Sequence, residues 1–184
     1  YPAFHSESGY KVGVEIGIDS GEYGVMLCKA GLKMYGVDPY VRYDEYKEVG
    51  RYQSHYEEAV ENLKGYDYTI IKKFSMDALN DFKDSSIDFV YIDGNHTLPY
   101  IAMDIFGWER KVRIGGIISG HDYAIVKGPR ERQEPKVYDG THVKLAVDAS
   151  CYIMRVPRLY VLGKRRGKKG LERDTWRSFF WFKT

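Results

Sequence analysis

The sequence predicts an α/β fold: a doubly wound sheet of seven strands, mostly parallel, with an antiparallel strand in a C-terminal hairpin. Three observations carry this reading. Short β-rich runs alternate with helical segments along most of the chain, which implies a parallel sheet covered on both faces. A glycine-rich turn follows the first run, and the second run ends in an acid, the layout of a nucleotide cradle. The last two runs are joined by the short basic loop Gly163-Lys-Arg-Arg-Gly-Lys-Lys-Gly170, so one of them must turn back on the other.

The elements follow in order. Val12, Val14 and Ile16 alternate with other residues, as a strand requires. Residues 22–31 fit one short helix that Gly31 stops. Lys33 to Val37 is the second strand, with Asp38 at its carboxyl end. Residues 43–64 are polar, with apolar residues at helical intervals. Asp67 to Lys72 is a third strand, and Ser75 to Phe82 a short helix with Ser75 as its cap and Asp77 in the first turn. Ile87 to Ile92 is a strongly apolar fourth strand. Pro99 to Val112 fits a helix, with the proline in its first turn. Ile114 to Ser119 is the fifth strand, His142 to Ser150 a helix, and Leu159 to Leu162 and Trp176 to Phe182 the closing strands.

With 184 residues the chain makes one domain over its full length, 1–184, with a proper core. Hydrophobic residues make up 43% and charged residues 29%, as in soluble globular proteins. A net charge of +2 argues against a dedicated nucleic-acid binder. No apolar run is long enough to span a bilayer, and no signal peptide is visible. Cys28 and Cys151 make no disulfide framework, so a reducing, cytoplasmic setting is expected. A homo-oligomer stays open.

The turn itself is Gly17-x-x-x-Gly21-x-x-Gly24. A dinucleotide fingerprint needs G-x-G-x-x-G, so the first glycine pair is wrongly spaced. Glu15, Asp19 and Glu22 crowd the turn with acid, whereas a pyrophosphate favours a helix N-terminus without acids. A cationic, phosphate-free nucleoside suits it better. At the far side, Asp88-Phe-Val-Tyr-Ile-Asp93-Gly-Asn-His96 and Gly115-Gly-Ile-Ile-Ser-Gly-His121-Asp122-Tyr123 place further polar residues at strand ends, where open α/β sheets bind ligands.

Glu15-Ile-Gly17-Ile-Asp19-Ser-Gly21, together with these two later motifs, resembles the class I S-adenosylmethionine-dependent methyltransferases, within a small subgroup carrying I-D-G-x-H and G-H-D-Y motifs. The resemblance runs from about Val12 to Lys183 and includes Asp104 and the closing Trp176 to Lys183 segment. It implies a Rossmann-like sheet ending in an antiparallel pair, with S-adenosylmethionine as cofactor. By position it places Glu15, Gly17 and Asp19, with Ser20 and Gly21 of the same turn, near the methionine moiety. It puts Asp38 on the ribose hydroxyls with Pro39 and Tyr40 beside it, and Ser75, Met76 and Asp77 around the adenine. Asp93 falls near the reacting methyl.

Methyl transfer is an in-line displacement, and much of its catalysis is positioning. A hydroxyl acceptor must also lose a proton, and histidine is the best-poised base near neutral pH. His96 and His121 are therefore the catalytic candidates. Some relatives hold a divalent cation at these strand ends, which makes Asp93 and Asp122 candidate ligands; some carry two adjacent acids where this chain has His121-Asp122. Residues 124–141 form a long connection expected to shape the acceptor pocket. The expected activity is O-methylation of a small molecule or glycan. The alternatives are a non-catalytic binding module of the same fold and a nicotinamide-dependent oxidoreductase. No dedicated nucleic-acid module is visible.

Overall fold

The structure is a computed structural model that describes residues 9–41, 52–124, 139–163 and 177–184, with the backbone alone at 139–141. Seven strands form one sheet: β1 (Val12–Ile16), β2 (Lys33–Val37), β3 (Tyr68–Ile71), β4 (Ile87–Ile92), β5 (Val112–Gly120), β6 (Tyr160–Leu162) and β7 (Ser178–Phe182). Their spatial order is β3-β2-β1-β4-β5-β7-β6. The strands from β3 across to β5 pair in parallel, and β7 lies antiparallel between β5 and β6. This is the predicted Rossmann-like architecture with its antiparallel end.

The helices are α1 (Glu22–Lys29), α2 (Tyr52–Asn62), α3 (Ser75–Ala78), α4 (Leu98–Glu109) and α5 (Asp139–Ile153), with a 3-10 turn at Leu79–Asp81 extending α3. The predicted helix over 43–64 is seen from Tyr52 on; residues 42–51 lie outside those described. The fifth strand is longer than expected. It begins at Val112 and bulges: Ile87 pairs with Val112, but Phe89 pairs with Ile117. Gly115 takes up the bulge at φ 75, a left-handed conformation that costs glycine least.

Strand alternation divides the core between the two sheet faces. Val14, Ile16, Val90, Ile92 and Ile118 pack with Ile101, Ile105 and Trp108 of α4 and Val143 and Val147 of α5. Met34, Phe89 and Ile117 face the other way, onto Leu27 of α1. Beyond the end of β1, Ile18 and Tyr40 meet Ala59 and Leu63 of α2. Asp88 pins the opposite ends of the strands. Its Oδ2 accepts the backbone N–H groups of Lys11 (2.7 Å) and Val12 (2.8 Å), and its Oδ1 accepts from Arg113 Nε (2.6 Å). No helix among the described residues is long and apolar enough to cross a membrane.

The antiparallel strand is anchored by Trp181, which is 1% exposed and stacks near Phe179 with ring centroids 5.9 Å apart. Truncating a buried tryptophan leaves a cavity that costs about 3–5 kcal/mol. Trp181→Ala should lower the unfolding free energy by that amount, seen as a lower urea midpoint with an unchanged slope, measured by tryptophan fluorescence and circular dichroism in parallel.

Candidate functional site

The carboxyl ends of β1, β2 and β4 lie side by side because β1 is the central strand of that trio. The chain leaves β1 at Gly17 with φ 86. Its N–H donates to Val37 O (2.9 Å), while Asp93 N donates to Ile16 O (2.8 Å). A Cβ on Gly17 would lie 2.3 Å from Asp93 O. The close approach that this glycine permits is therefore by the backbone of the β4 end. Gly21, at φ 82, then opens α1, and a Cβ there would press on Leu63 of α2 at 2.9 Å.

Asp38 binds this turn to the end of β2. Its Oδ2 accepts the N–H of Ile18 (3.0 Å) and more loosely that of Asp19 (3.5 Å); its Oδ1 accepts the N–H of Tyr40 (2.8 Å). Burial raises its pKa above the usual carboxylate value, against the pull of those three amides. A carboxylate has about four lone-pair directions, so about one accepting direction is left for a ligand. Tyr40 closes the corner by donating to Asp19 O (3.1 Å).

These residues line a cavity of about 560 Å³, within the range of small-molecule sites. One wall is Gly17, Asp19 and Asp38 to Val41. Another is Tyr52 and His55 of α2, with His55 paired to the Asp19 carboxylate. A third runs through Phe74, Ser75, Met76 and Asp77 to Tyr100, Met103 and Asp104 of α4, and the last is Asp93 to Asn95. Asn95 Oδ1 accepts from the N–H (3.0 Å) and the hydroxyl (2.8 Å) of Thr97, which directs its amide nitrogen elsewhere. That nitrogen is buried and has no hydrogen-bond partner among the described residues. An orphaned buried donor is costly, and a polar ligand in the cavity would relieve it.

Beyond Asp93 the ends of β4 and β5 bring four side chains together. His96 lies between two carboxylates, with Nε2 3.2 Å from Asp93 Oδ1 and Nδ1 3.0 Å from Asp122 Oδ2. His121 Nδ1 is 3.1 Å from Asp122 Oδ1. Asp122 sits at φ 58, a left-handed conformation that aspartate tolerates better than most residues. Burial pushes the Asp122 pKa up, but the His121 hydrogen bond and the two imidazoles outweigh it, and the net shift is downward. One ligand atom each from Asp93, His96 and Asp122 lies within 4.8 Å of the others, a separation that a single cation can bridge.

The predicted site residues thus fall in two groups. Gly17, Asp19, Asp38, Pro39, Tyr40, Ser75, Met76, Asp77 and Asp93 line one cavity, and His96, His121 and Asp122 stand beside it. Glu15, Ser20 and Gly21 are outside the lining. Ser20 is held through its carbonyl by Asn62 (2.9 Å). Glu15 points to the α1 side of the sheet, where Tyr68 donates to its Oε2 (2.6 Å); strand alternation sends it away from the face used by Ile16. The acceptor-side connection lies largely outside the described residues, as does the hairpin tip after Gly163. Sequence reasoning assigned no site role to His55, Asn95, Tyr100, Met103 or Asp104. Only Asp104 left a readable signal, as an acid on the same helical stripe as Ile101, Ile105 and Trp108.

A sequence profile of the family described as "Methyltransferase domain" matches residues 14–123, more than half of the chain. The chain belongs to this family and, with the sheet order above, is a class I S-adenosylmethionine-dependent methyltransferase. It resembles solved structures in fold. Cofactor-bound Rv0187 from MTB aligns at TM-score 0.68 and 16% identity, over 98% of this chain and 77% of that one. TomG, an O-methyltransferase from Streptomyces achromogenes in complex with SAM, aligns at 0.65 and 14%, over 100% and 78%. An O-methyltransferase from Bacillus cereus in complex with SAH aligns at 0.64 and 15%, over 99% and 78%. No curated protein sequence matches the chain.

Glu15 generates a test of the cradle's electrostatics. Burial raises its pKa from 4.5 to about 8, against the lowering effect of the Tyr68 hydrogen bond. The folded state therefore binds a proton that the unfolded state has already lost, and stability falls as pH rises between those two values. Glu15→Gln keeps an acceptor for Tyr68 and removes the charge. Its melting temperature should match the wild type near pH 5 and exceed it by at least about 3 °C near pH 8.5. Identical profiles for the two proteins would refute the assignment.

Proposed function

We propose that this chain transfers a methyl group from S-adenosylmethionine to an oxygen of a small molecule or glycan. The observation that carries the reading is the Asp38 carboxylate: it faces a cavity built between the β1 glycine turn and the β4 end while accepting three backbone amides. A ribose hydroxyl is the natural partner for the accepting direction that is left. The acidic surroundings of the turn, Asp19 and Asp93 among the lining residues, suit an ammonium and a sulfonium better than a pyrophosphate. This weighs against a nicotinamide dinucleotide.

S-adenosylmethionine supplies a methyl carbon on a positively charged sulfur, which an acceptor oxygen displaces in line. The chain's own residues hold the two reactants at that geometry and take the proton that the acceptor hydroxyl releases. His121 is the better-placed base. Asp122 orients its Nδ1 and stabilises the imidazolium that forms. His96 is flanked by carboxylates at both ring nitrogens. It then serves to hold Asp93 and Asp122 in place.

A second reading rests on the cluster of Asp93, His96 and Asp122. These three could hold a divalent cation that lowers the acceptor hydroxyl's pKa. His96 would then give up at least one of its carboxylate contacts, and waters would complete the coordination. Dialysis against EDTA separates the two readings: activity that survives assigns the cluster to the histidine clamp, and activity lost and restored by Mg²⁺ assigns it to the ion.

The proposal as a whole stands on two measurements. Calorimetric titration with S-adenosylhomocysteine should show saturable binding, and Asp38→Asn should weaken it by about 10–100-fold; no heat with either methyl donor or product would sink the reading. With an acceptor identified from a phenol, catechol and glycan panel, His121→Ala should lower kcat by roughly 10²–10⁴ with little change in product binding.

A further inference from the structure

Asp122 meets both histidines of the β4–β5 end, and it does so from a left-handed backbone at φ 58. A residue other than glycine stays in that region only where its surroundings fix it. Before it, His121 N donates to Ile92 O at the end of β4 (3.2 Å). After it, Tyr123 is fixed twice. Its N–H donates to Arg177 O, one residue ahead of β7 (2.8 Å). Its hydroxyl donates to Asp148 Oδ1 of α5 (2.7 Å) and accepts from Lys144 Nζ (3.1 Å). Between these anchors the Asp122 oxygens diverge, Oδ2 toward His96 and Oδ1 toward His121.

Packing does not require the Tyr123 hydroxyl. The residue is 7% exposed, and its ring lies 4.8 Å from the Lys144 ammonium, 5.5 Å from the Arg177 guanidinium and 6.2 Å from the Phe179 ring. A phenylalanine would keep all of these ring contacts. The ion pair behind the hydroxyl adds little stability either, because Asp148 is half-exposed where it meets Lys144. What the network supplies is direction. The phenol has one proton to donate, and Asp148 takes it; Lys144 occupies the accepting side. Through this bond α5 sets the turn that ends β5. It reaches the adjoining loop as well, where His142 Nδ1 accepts the N–H of Leu98 (3.2 Å), two residues after His96.

Resting on the methyl-transfer reading above, we propose that Tyr123 is a positioning residue: its hydroxyl, held by Asp148 and Lys144, keeps the Asp122 carboxylate turned to His121, so that the imidazole meets the acceptor in one orientation. The hydroxyl acts through Asp122 and takes no part in the displacement itself.

Tyr123→Phe removes the hydroxyl and keeps the ring. With an acceptor from the panel above, it should lower kcat about tenfold, while the acceptor KM and the Kd for S-adenosylhomocysteine stay within about threefold. Asp148→Leu should reproduce the loss, and Asp148→Asn, which keeps an accepting oxygen, should retain most of the activity. In a His121→Ala background Tyr123→Phe should lower kcat no further, whereas a merely structural role would lower it in both backgrounds. An unchanged kcat in Tyr123→Phe overturns the proposal, as does an equal fall in the two backgrounds or a matching loss of product binding. A crystal structure of Tyr123→Phe needs no turnover. It should show the Asp122 carboxylate turned from His121 or split between conformers; a carboxylate in its wild-type place overturns the proposal. Wild type that binds neither methyl donor nor product overturns the methyl-transfer reading instead, and the crystal structure still decides what Tyr123 holds.

Discussion

The carboxylate of Asp38 is the joint on which this site depends. Two strand ends and a glycine turn meet there, and each brings backbone N–H groups with no strand partner. Asp38 satisfies Ile18, Asp19 and Tyr40 at once. In doing so it fixes the turn after β1 relative to the end of β2. Ordering a loop costs of the order of 1–2 kcal/mol per residue, and a charged acceptor shared by three amides is a strong way to offset it. The same carboxylate lines the cavity.

The acids in the cavity and on the sheet face behind it work in different electrostatic settings. Asp104 and Glu15 are buried and each accepts from one hydroxyl, and burial moves their pKa values up to about 7 and about 8, with Asp93 and Asp38 adding to the rise at Glu15. Asp122 is also partly buried, yet His121 and His96 pull it down. Near neutral pH the α4 end of the cavity thus tends toward a neutral carboxyl and the β4–β5 end toward a carboxylate.

Much of the fold was legible because its signals are local. Val12–Ile16, Lys33–Val37 and Ile87–Ile92 were read to the residue from alternation and apolar runs. The cradle residues Gly17 and Asp38 were legible from spacing alone. Glu15 was harder, because a position next to a glycine turn does not say which sheet face its side chain takes. It belongs with Tyr68 under α1. His55 and Asn95 carried no local signal: His55 reaches the site only because α2 packs over the β1 turn, and Asn95 matters because its amide nitrogen is buried without a partner among the described residues.

The sequence by itself determined the alternation of strands and helices, the turn that ends β1, and the acids and histidines at the strand ends, since each is set by neighbours within a few residues. Tertiary structure alone decided which of those side chains share a space. It put β7 between β5 and β6, turned Glu15 away from the cavity, and clamped His96 between Asp93 and Asp122. It also brought Ser75 of α3 against Asp104 and Trp108 of α4, 29 and 33 residues away. Contacts of that separation depend on how helices pack across the sheet, and no spacing along the chain encodes them.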